Sequence, residues 1–317
     1  MIVSINSSPM VSVIIPVFNR EFELSRALNS VVNQTYSNIE ILVCDDSSSD
    51  NSIVLAKEFQ AKDSRIRILA SHSNNGPAFA RNLGLASAIG EYIAFLDSDD
   101  EWLPQKLEKQ VTMLERQPLD VGICICGDII IKNENRNQIF YYAPNKSFEE
   151  NTLKKFISGS LPFHTPTLFF RKSCLEKVGK MNPVMRVNED EEFLLRFFSC
   201  YKLVVLEESL AIIHLKVSKN KKVYTLLNAA LPHKLKHLPL ISQQLGLWSA
   251  KMYECSNRVN LAQAALREGL LVEFLHQIFC RLKIVPFFFP KEIKKLAKSF
   301  VVLVFPDFGR RNFSRKP

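Results

Sequence analysis

The first hundred residues alternate short apolar runs with amphipathic stretches of helix length. VSVIIPVF (11–18), IEILVC (39–44), RIRIL (65–69) and YIAFL (92–96) have the length and continuity of strands buried on both faces. Between the first two, EFELSRALNSVVNQ (21–34) turns Leu24, Leu28, Val31 and Val32 to one side. A second helix follows Asp50 and carries Ile53, Val54 and Phe59, and a third starts at Pro77, a residue suited to a first helical turn. This alternation predicts an α/β fold, a mostly parallel sheet covered by helices on both faces. Beyond Trp102 the pattern predicts a helix (104–116), an antiparallel pair (121–132 and 138–142), a helix near 149–158 and a strand at 167–171. A helix over 188–198 and two late strands, 202–207 and 209–216, complete the pattern. Past Val217 it becomes helical. The chain is therefore expected to divide into a short tail (1–9), a body (10–218, with halves 10–102 and 103–218) and a helical appendage (219–317).

Polar residues collect where the strands stop: Asn19 after the first, Asp45 and Asp46 after the second, Asn74 to Gly76 after the third, and Asp97 to Asp100 after the fourth. In open α/β sheets ligands bind outside the carboxyl ends of the strands, so the four ends define one polar, acidic site. FLDSDDEW (95–102) places Asp97, Asp99 and Asp100 within four positions. Without a positive partner these acids would repel one another. Carboxylates are hard ligands suited to Mg²⁺ or Mn²⁺, ions that often take one or two protein carboxylates and complete their shells with phosphate oxygens and water. The one-residue spacing of Asp97 and Asp99 would put both on the same side of an extended segment. A second reading has them capping the helix near Pro104 or closing an Asx turn.

Charge separates the body from the appendage. The 317 residues carry a net +9, but residues 219–317 hold 18 Lys+Arg against 5 Asp+Glu, leaving a net −4 for residues 1–218. Seven cysteines, mostly in apolar stretches such as those holding Cys44, Cys174, Cys200 and Cys280, read as reduced core residues, and the spacing of Cys124 and Cys126 suits neither a zinc knuckle nor a redox pair. The start, MIVSINSSPM, lacks a basic region and a long apolar core, and no apolar run reaches the roughly 18 residues of a membrane span. A cytoplasmic location is expected.

VSVIIPVFN, ILVCDDSSSD and GPAFARNLGLASAIGEYIAFLDSDDEW, in this order and each at a strand end, resemble the family 2 glycosyltransferases of GT-A fold, over roughly residues 10 to 215. The resemblance implies an inverting enzyme that uses a nucleoside diphosphate sugar, Mg²⁺ or Mn²⁺, and a glycan or lipid-linked acceptor, as in surface polysaccharide biosynthesis. By the same resemblance Pro16, Phe18 and Asn19 line the nucleotide pocket, and Asp46, with Asp45 beside it, holds the base. Asp97 and Asp99 match the DxD motif that engages the ribose and the metal-bridged diphosphate, with Asp100 sharing that duty, and Arg81 and Asn82 match the family's RN pair. The ED pair of NEDEEFLLRF implies Asp190 as catalytic base with Glu189 as neighbour. Local physics gives alternatives: Asp45 and Asp46 as caps of the following helix, Arg81 as a solvated helix residue, and Asn188 with Glu191 as a capping box. Glu192 and Arg196 read as a surface pair, His214 as a strand residue and His164 as part of an acceptor-side loop.

Other classes fit less. Mg²⁺-dependent phosphoryl transfer also uses DxD but expects an acid nucleophile at the end of the first strand, where this chain has PVFN. A nucleotidyltransferase expects a glycine-rich phosphate loop there. A basic nucleic-acid binder would explain the +13 of the appendage and leave the acidic strand ends unexplained, so no nucleic-acid partner is expected. In the appendage, 257–283 reads as a packed helix pair with Leu261, Ala264, Ala265, Leu271, Leu275, Ile278, Phe279 and Leu282 inward. Residues 284–317 interleave aromatic and basic residues, a pattern suited to peripheral attachment to an anionic membrane surface.

Overall fold

A computed structural model describes residues 8–132, 138–161, 163–215 and 223–285. The chain forms two compact units, 1–217 and 218–317, and each is described by itself. Residues 284–317 carry the expectation of membrane attachment and, apart from Ile284 and Val285, lie outside the described residues.

In the first unit, β1 (Val11–Val17) runs parallel to β2 (Ile39–Asp45) on one side and to β4 (Tyr92–Phe95) on the other. β3 (Ile66–Ala70) extends the sheet beyond β2. The second half adds β5 (Glu101–Trp102), β6 (Val121–Lys132), β7 (Gln138–Tyr142), β8 (Leu168–Arg171) and β9 (Lys202–Leu215). The order is β3-β2-β1-β4-β8-β6-β9-β5, with β7 paired to β6. β8 joins β4 and β6 antiparallel, β9 runs parallel to β6, and β7 folds back antiparallel on β6 as the sequence pattern predicts.

Alternate residues of the strands feed two helical layers. Val13 and Ile15 of β1 join Leu24, Leu28 and Val31 of α1 (Leu24–Val32), Ala56 of α2 (Ser52–Gln60) and Leu107 and Leu114 of α4 (Lys106–Glu115) in one buried core. Ile14 faces the other way, toward α3 (Pro77–Ser87), so closely that a Cβ on Gly84 would lie 2.5 Å from its Cγ2. The smaller α5 (Thr152–Ile157) and α6 (Leu175–Val178) come next along the chain, before α7 (Glu189–Phe198). Phe193 and Phe197 of α7 meet Phe170 of β8 tilted and edge-on, at 5.7 and 5.5 Å, and Phe170 meets Phe95 of β4 at 5.6 Å. These aromatic contacts fix the start of α7 relative to the end of β4, and so relative to the acids that follow it.

The structure corrects several local expectations. The two late strands are one strand, β9, with register irregularities where β6 passes from Cys126 to Asp128. Asn188 precedes α7 in the left-handed conformation (φ 57°) and its side chain caps nothing, so no capping box forms. Glu192 is buried and binds Arg196 at 2.8 Å, while Arg196 also donates to the carbonyls of Val178 and Lys180. The pair ties α7 to the α6 region instead of lying on the surface. Five cysteines are buried as expected, but Cys200 and Cys280 are partly exposed; all seven are free thiols.

The second unit contains α8 (Val223–Leu235), α9 (Leu238–Leu245), α10 (Leu247–Arg267) and α11 (Leu271–Ile284), with α10 touching the other three. Leu261, Ala264 and Ala265 of α10 are buried as the pattern predicts, but Leu271, Leu275 and Phe279 of α11 are exposed and Gln277 and Arg281 are buried. The helix is turned because its polar residues have partners inside: Gln277 accepts from Arg258, and Arg281 donates to the carbonyl of Val285. Among the described residues no helix is long and apolar enough to cross a membrane.

Candidate active site

The carboxyl ends of β1, β2 and β4 bring most of the expected residues to one edge of the first unit. After β1, Phe18 is 43% exposed and Asn19 adopts a positive φ of 52°. The Asn19 amide N–H donates to Ser48 Oγ at 3.0 Å, and its side-chain oxygen accepts from the Ser49 amide at 2.9 Å, lashing the β1 and β2 loops together. Pro16, on β1, is opposite Cys44 of β2 in the parallel register. Asp45 and Asp46 are both buried. Asp45 Oδ2 accepts from the Ser48 amide at 3.1 Å, whereas its Oδ1 is buried with no hydrogen-bond partner among the described residues. Both oxygens of Asp46 are engaged, Oδ1 by the Asn75 amide at 2.9 Å and Oδ2 by the Gly76 amide at 2.6 Å. Asp46 thus holds the β3–α3 loop, at the point where Gly76 has a φ of 95°. Neither acid caps α2.

The segment after β4 turns instead of staying extended: the Asp100 amide donates to the Asp97 carbonyl at 3.0 Å. Asp97 and Asp99 keep partly exposed carboxylates, 29% and 25% for the side chains, while Asp100 points inward and its Oδ1 accepts from the His214 amide at 2.8 Å. His214, on β9, also places its Nε2 2.8 Å from Glu101 Oε1, so the turn is fastened to the far end of the sheet. Neither the capping nor the Asx-turn reading of Asp97 and Asp99 is seen; their side chains meet arginines. Asp99 Oδ2 lies 3.5 Å from Arg20 Nε, and Arg26 donates to the Asp99 carbonyl. Arg20 and Arg26 were missed by the sequence reading. Arg20 directly follows the Asn19 strand end, a signal that could have been used, but nothing local distinguishes Arg26.

Arg81 joins this turn to α7. It is buried, not solvated, and its Nη2 donates to Asp97 at 2.6 Å while its Nη1 donates to Glu189 at 2.7 Å. Burial alone would lower its pKa, but the Asp97 and Glu189 carboxylates outweigh that and hold it above the ordinary arginine value. Asn82, next in the chain, exchanges hydrogen bonds with the backbone of Met181, 2.8 Å to its carbonyl and 3.0 Å from its amide. Glu189 is therefore committed to an ion pair, while the half-buried Asp190 is held by neutral donors. Thr165 Oγ1 donates to Asp190 Oδ2 at 3.0 Å and the Glu191 amide to Oδ1 at 2.8 Å. Burial, then repulsion from Glu189, pushes the Asp190 carboxyl up to about 6, with Arg81 opposing the rise. Such a carboxylate is ionised at neutral pH and still basic enough to accept a proton. Thr165 was not expected from the sequence, because its contact spans 25 residues.

The acid turn also bears on metal binding. Burial and then the Asp97 charge raise the Asp99 carboxyl against the opposing pull of Arg20, and burial with Asp97 pushes Asp100 up to about 8. The three acids are hard oxygen donors gathered in one turn. No preassembled cluster of three or more metal-ligating side chains is found among the described residues. The site fits a divalent cation that takes one or two protein carboxylates and fills the rest of its shell from a diphosphate and water.

Comparison with known proteins agrees with this arrangement. Residues 12–179 match the family model described as glycosyl transferase family 2. A UDP-Glc:alpha-D-GlcNAc-diphosphoundecaprenol beta-1,3-glucosyltransferase, WfgD of Escherichia coli, is 41% identical over 152 residues, covering 48% of this chain and 58% of that protein. The match thus spans less than two thirds of that relative. Putative glycosyltransferase EpsE of Bacillus subtilis is 32% identical over 200 residues, covering 61% of this chain and 68% of that protein. The fold is shared with S. aureus TarS 1-349 in complex with UDP-GlcNAc (TM-score 0.59, 17% identity, 92% and 91% of the two chains covered). It is shared too with the mannosyltransferase PcManGT of Pyrobaculum calidifontis in complex with GDP-Man and Mn2+ (TM-score 0.57, 17% identity, 95% and 89% covered). The ordered strand-end motifs, the mixed sheet between helical layers and the matched family model together establish that this chain belongs to glycosyl transferase family 2.

Proposed function

We propose that this chain transfers a sugar, with inversion at the anomeric carbon, from a nucleoside diphosphate sugar to a hydroxyl of a glycan or lipid-linked acceptor in surface polysaccharide biosynthesis. The observation that carries the reading is Arg81, whose two Nη atoms bind Asp97 of the acid turn and Glu189 beside Asp190. One buried guanidinium thereby ties donor-binding acids to the base. The nucleotide would lie against Phe18, Asn19 and Asp45, with the free Oδ1 of Asp45 able to accept an N–H of the base. Asp46 acts through the loop it holds.

Asp99 and Asp97 would hold Mg²⁺ or Mn²⁺, with Asp100 behind them, and the ion would supply positive charge to the diphosphate as it leaves. The chain's own residues do the rest. Asp190 takes the proton of the acceptor hydroxyl as the new bond to the anomeric carbon forms and the bond to the diphosphate oxygen breaks. Its two hydrogen bonds, from Thr165 and Glu191, fix which lone pair faces the acceptor. Glu189 keeps Arg81 in place and is a positioning residue, not a second base. Arg20, beside Asp99, is placed to meet the leaving diphosphate.

The named activity of the E. coli relative supports UDP-sugars as first donors and a GlcNAc-diphosphate lipid as first acceptor. The net +13 of residues 219–317 and the exposed Leu271, Val272, Leu275 and Phe279 of α11 support attachment to an anionic membrane surface. A thermal-shift panel of UDP-, GDP- and dTDP-sugars with and without Mn²⁺ tests the donor reading, because a specific ligand raises Tm by mass action. Stabilisation by one nucleotide, dependent on Mn²⁺, is expected; no stabilisation by any of them overturns the proposal.

A further inference from the structure

A second polar group, for which the mechanism has no use, includes the residue directly before Thr165, the donor to the proposed base. Asp128, on β6, is 1% exposed, and its Oδ2 lies 2.8 Å from Nδ1 of the half-exposed His164. Its Oδ1 is buried and has no hydrogen-bond partner among the described residues, and the same holds for the hydroxyl of Tyr142. The two residues are directly opposite each other on the β6–β7 ladder. A buried carboxylate oxygen without a donor is costly, and two orphaned polar atoms on paired positions mark a place where a hydrogen-bonding ligand belongs.

Position ties this group to the site. His164 directly precedes Thr165, whose hydroxyl holds Asp190. Hydrogen bonds tie down the 164–167 loop: Thr167 Oγ1 donates to the His164 carbonyl at 2.7 Å, and Trp102 Nε1 donates to the Pro166 carbonyl at 2.9 Å. Trp102, two residues past Asp100, is paired with Ala211, and Ala211 with Asp128, so one row across the sheet links the acid turn to this carboxylate. Asp128 engages Nδ1 of His164 and leaves its Nε2 for another partner. Phe140 stands two residues before Tyr142 and on the same face of β7.

The chemistry of the row selects its ligand. Asp128 Oδ1, His164 Nε2 and the Tyr142 hydroxyl form a mixed set of hydrogen-bonding atoms that suits sugar hydroxyls, which both donate and accept, while a carboxyl group is a poor partner for a phosphate. We infer that Asp128, His164 and Tyr142 form the subsite that binds a sugar ring of the acceptor through its hydroxyls, with the acceptor's charged or lipid end lying elsewhere. This rests on the proposed glycosyltransferase activity and adds which residues receive the acceptor.

Saturation-transfer NMR of the UDP- and Mn²⁺-loaded protein with the methyl glycosides of GlcNAc, glucose, galactose and mannose tests it. His164→Asn keeps a donor for Asp128 and removes Nε2, whereas His164→Gln restores a polar atom near the Nε2 position. Wild type should bind at least one glycoside. His164→Asn and Asp128→Asn should weaken that binding by about tenfold or more, His164→Gln less, all with UDP affinity unchanged. If His164→Asn binds UDP and every glycoside as wild type does, or if no glycoside binds a UDP-loaded wild type, the subsite is wrong and the donor reading stands. If wild type binds no nucleotide, the proposed function fails and this inference falls with it.

Discussion

Glu189→Gln isolates the electrostatics of the site. The substitution removes one charge beside Asp190 and leaves Arg81 its 2.6 Å bond to Asp97. Repulsion from Glu189 is the second cause, after burial, of the rise of Asp190 to about 6. Two unit charges roughly 7 Å apart at an effective dielectric of about 20 repel by about 2 kcal/mol, worth more than one pH unit. Water reaching the half-buried carboxylate screens part of this, so a fall of about one unit is expected. A base works only when deprotonated, so kcat/KM of wild type should fall as pH drops through about 6. In Glu189→Gln that limb should lie near pH 5, with a lower plateau above it because a weaker base drives less proton transfer. The assay is nucleotide release in the presence of acceptor, followed from pH 4.5 to 8.5. A limb that stays at pH 6 or moves upward would refute the assignment of Asp190 as the base under the influence of Glu189.

Asp190→Asn should bind donor normally and lose transfer by about 10²-fold or more, measured by initial rates beside a UDP titration. The raised carboxyl also bears on stability: the folded state binds the proton more tightly than the unfolded chain, so Asp190 costs stability as pH rises from about 4 through about 6. Asp190→Asn, which stays neutral, should therefore melt at the same temperature as wild type or slightly above it at pH 7, read by differential scanning fluorimetry. Asp99→Ala should keep its fold and lose Mn²⁺-dependent nucleotide binding, since it removes a partly exposed side chain at a strand end; isothermal titration with UDP checks this. Gly84→Ala should cost about 1–3 kcal/mol in urea unfolding, because the added methyl would lie 2.5 Å from Ile14 Cγ2 where α3 packs on β1. Sedimentation with anionic liposomes should carry down the full-length protein at low salt and release it at high salt.

Much of the parallel half of the sheet was legible because its signals are local. Four apolar runs give β1 to β4 within a residue or two, and the polar residues that end them converge because parallel strands share one direction. What was not legible depends on distant partners. Arg81 stands out in the sequence through its resemblance to the RN pair, but its bond to Glu189, 108 positions away, appears only in the fold. Asn188 and Glu191 have the spelling of a capping box, but the chain enters α7 through a left-handed residue and the cap is lost. The face of α11 was misjudged for a similar reason: its leucines suggest an inward stripe, and only the pairing of Gln277 with Arg258 shows which side is inside. Asp128 offered no motif, since a single acid in a strand acquires meaning only from what the fold sets opposite it.

The most direct test of the central claim is the anomeric configuration of the product. Wild type is incubated with the nucleotide sugar that stabilises it, Mn²⁺ and a GlcNAc-diphosphate carrying a short alkyl chain, and the new linkage is read by proton NMR. The account predicts a β linkage from an α-linked donor, formed by wild type and absent with Asp190→Asn. A product that retains the donor's configuration, or one formed equally well by Asp190→Asn, would contradict it.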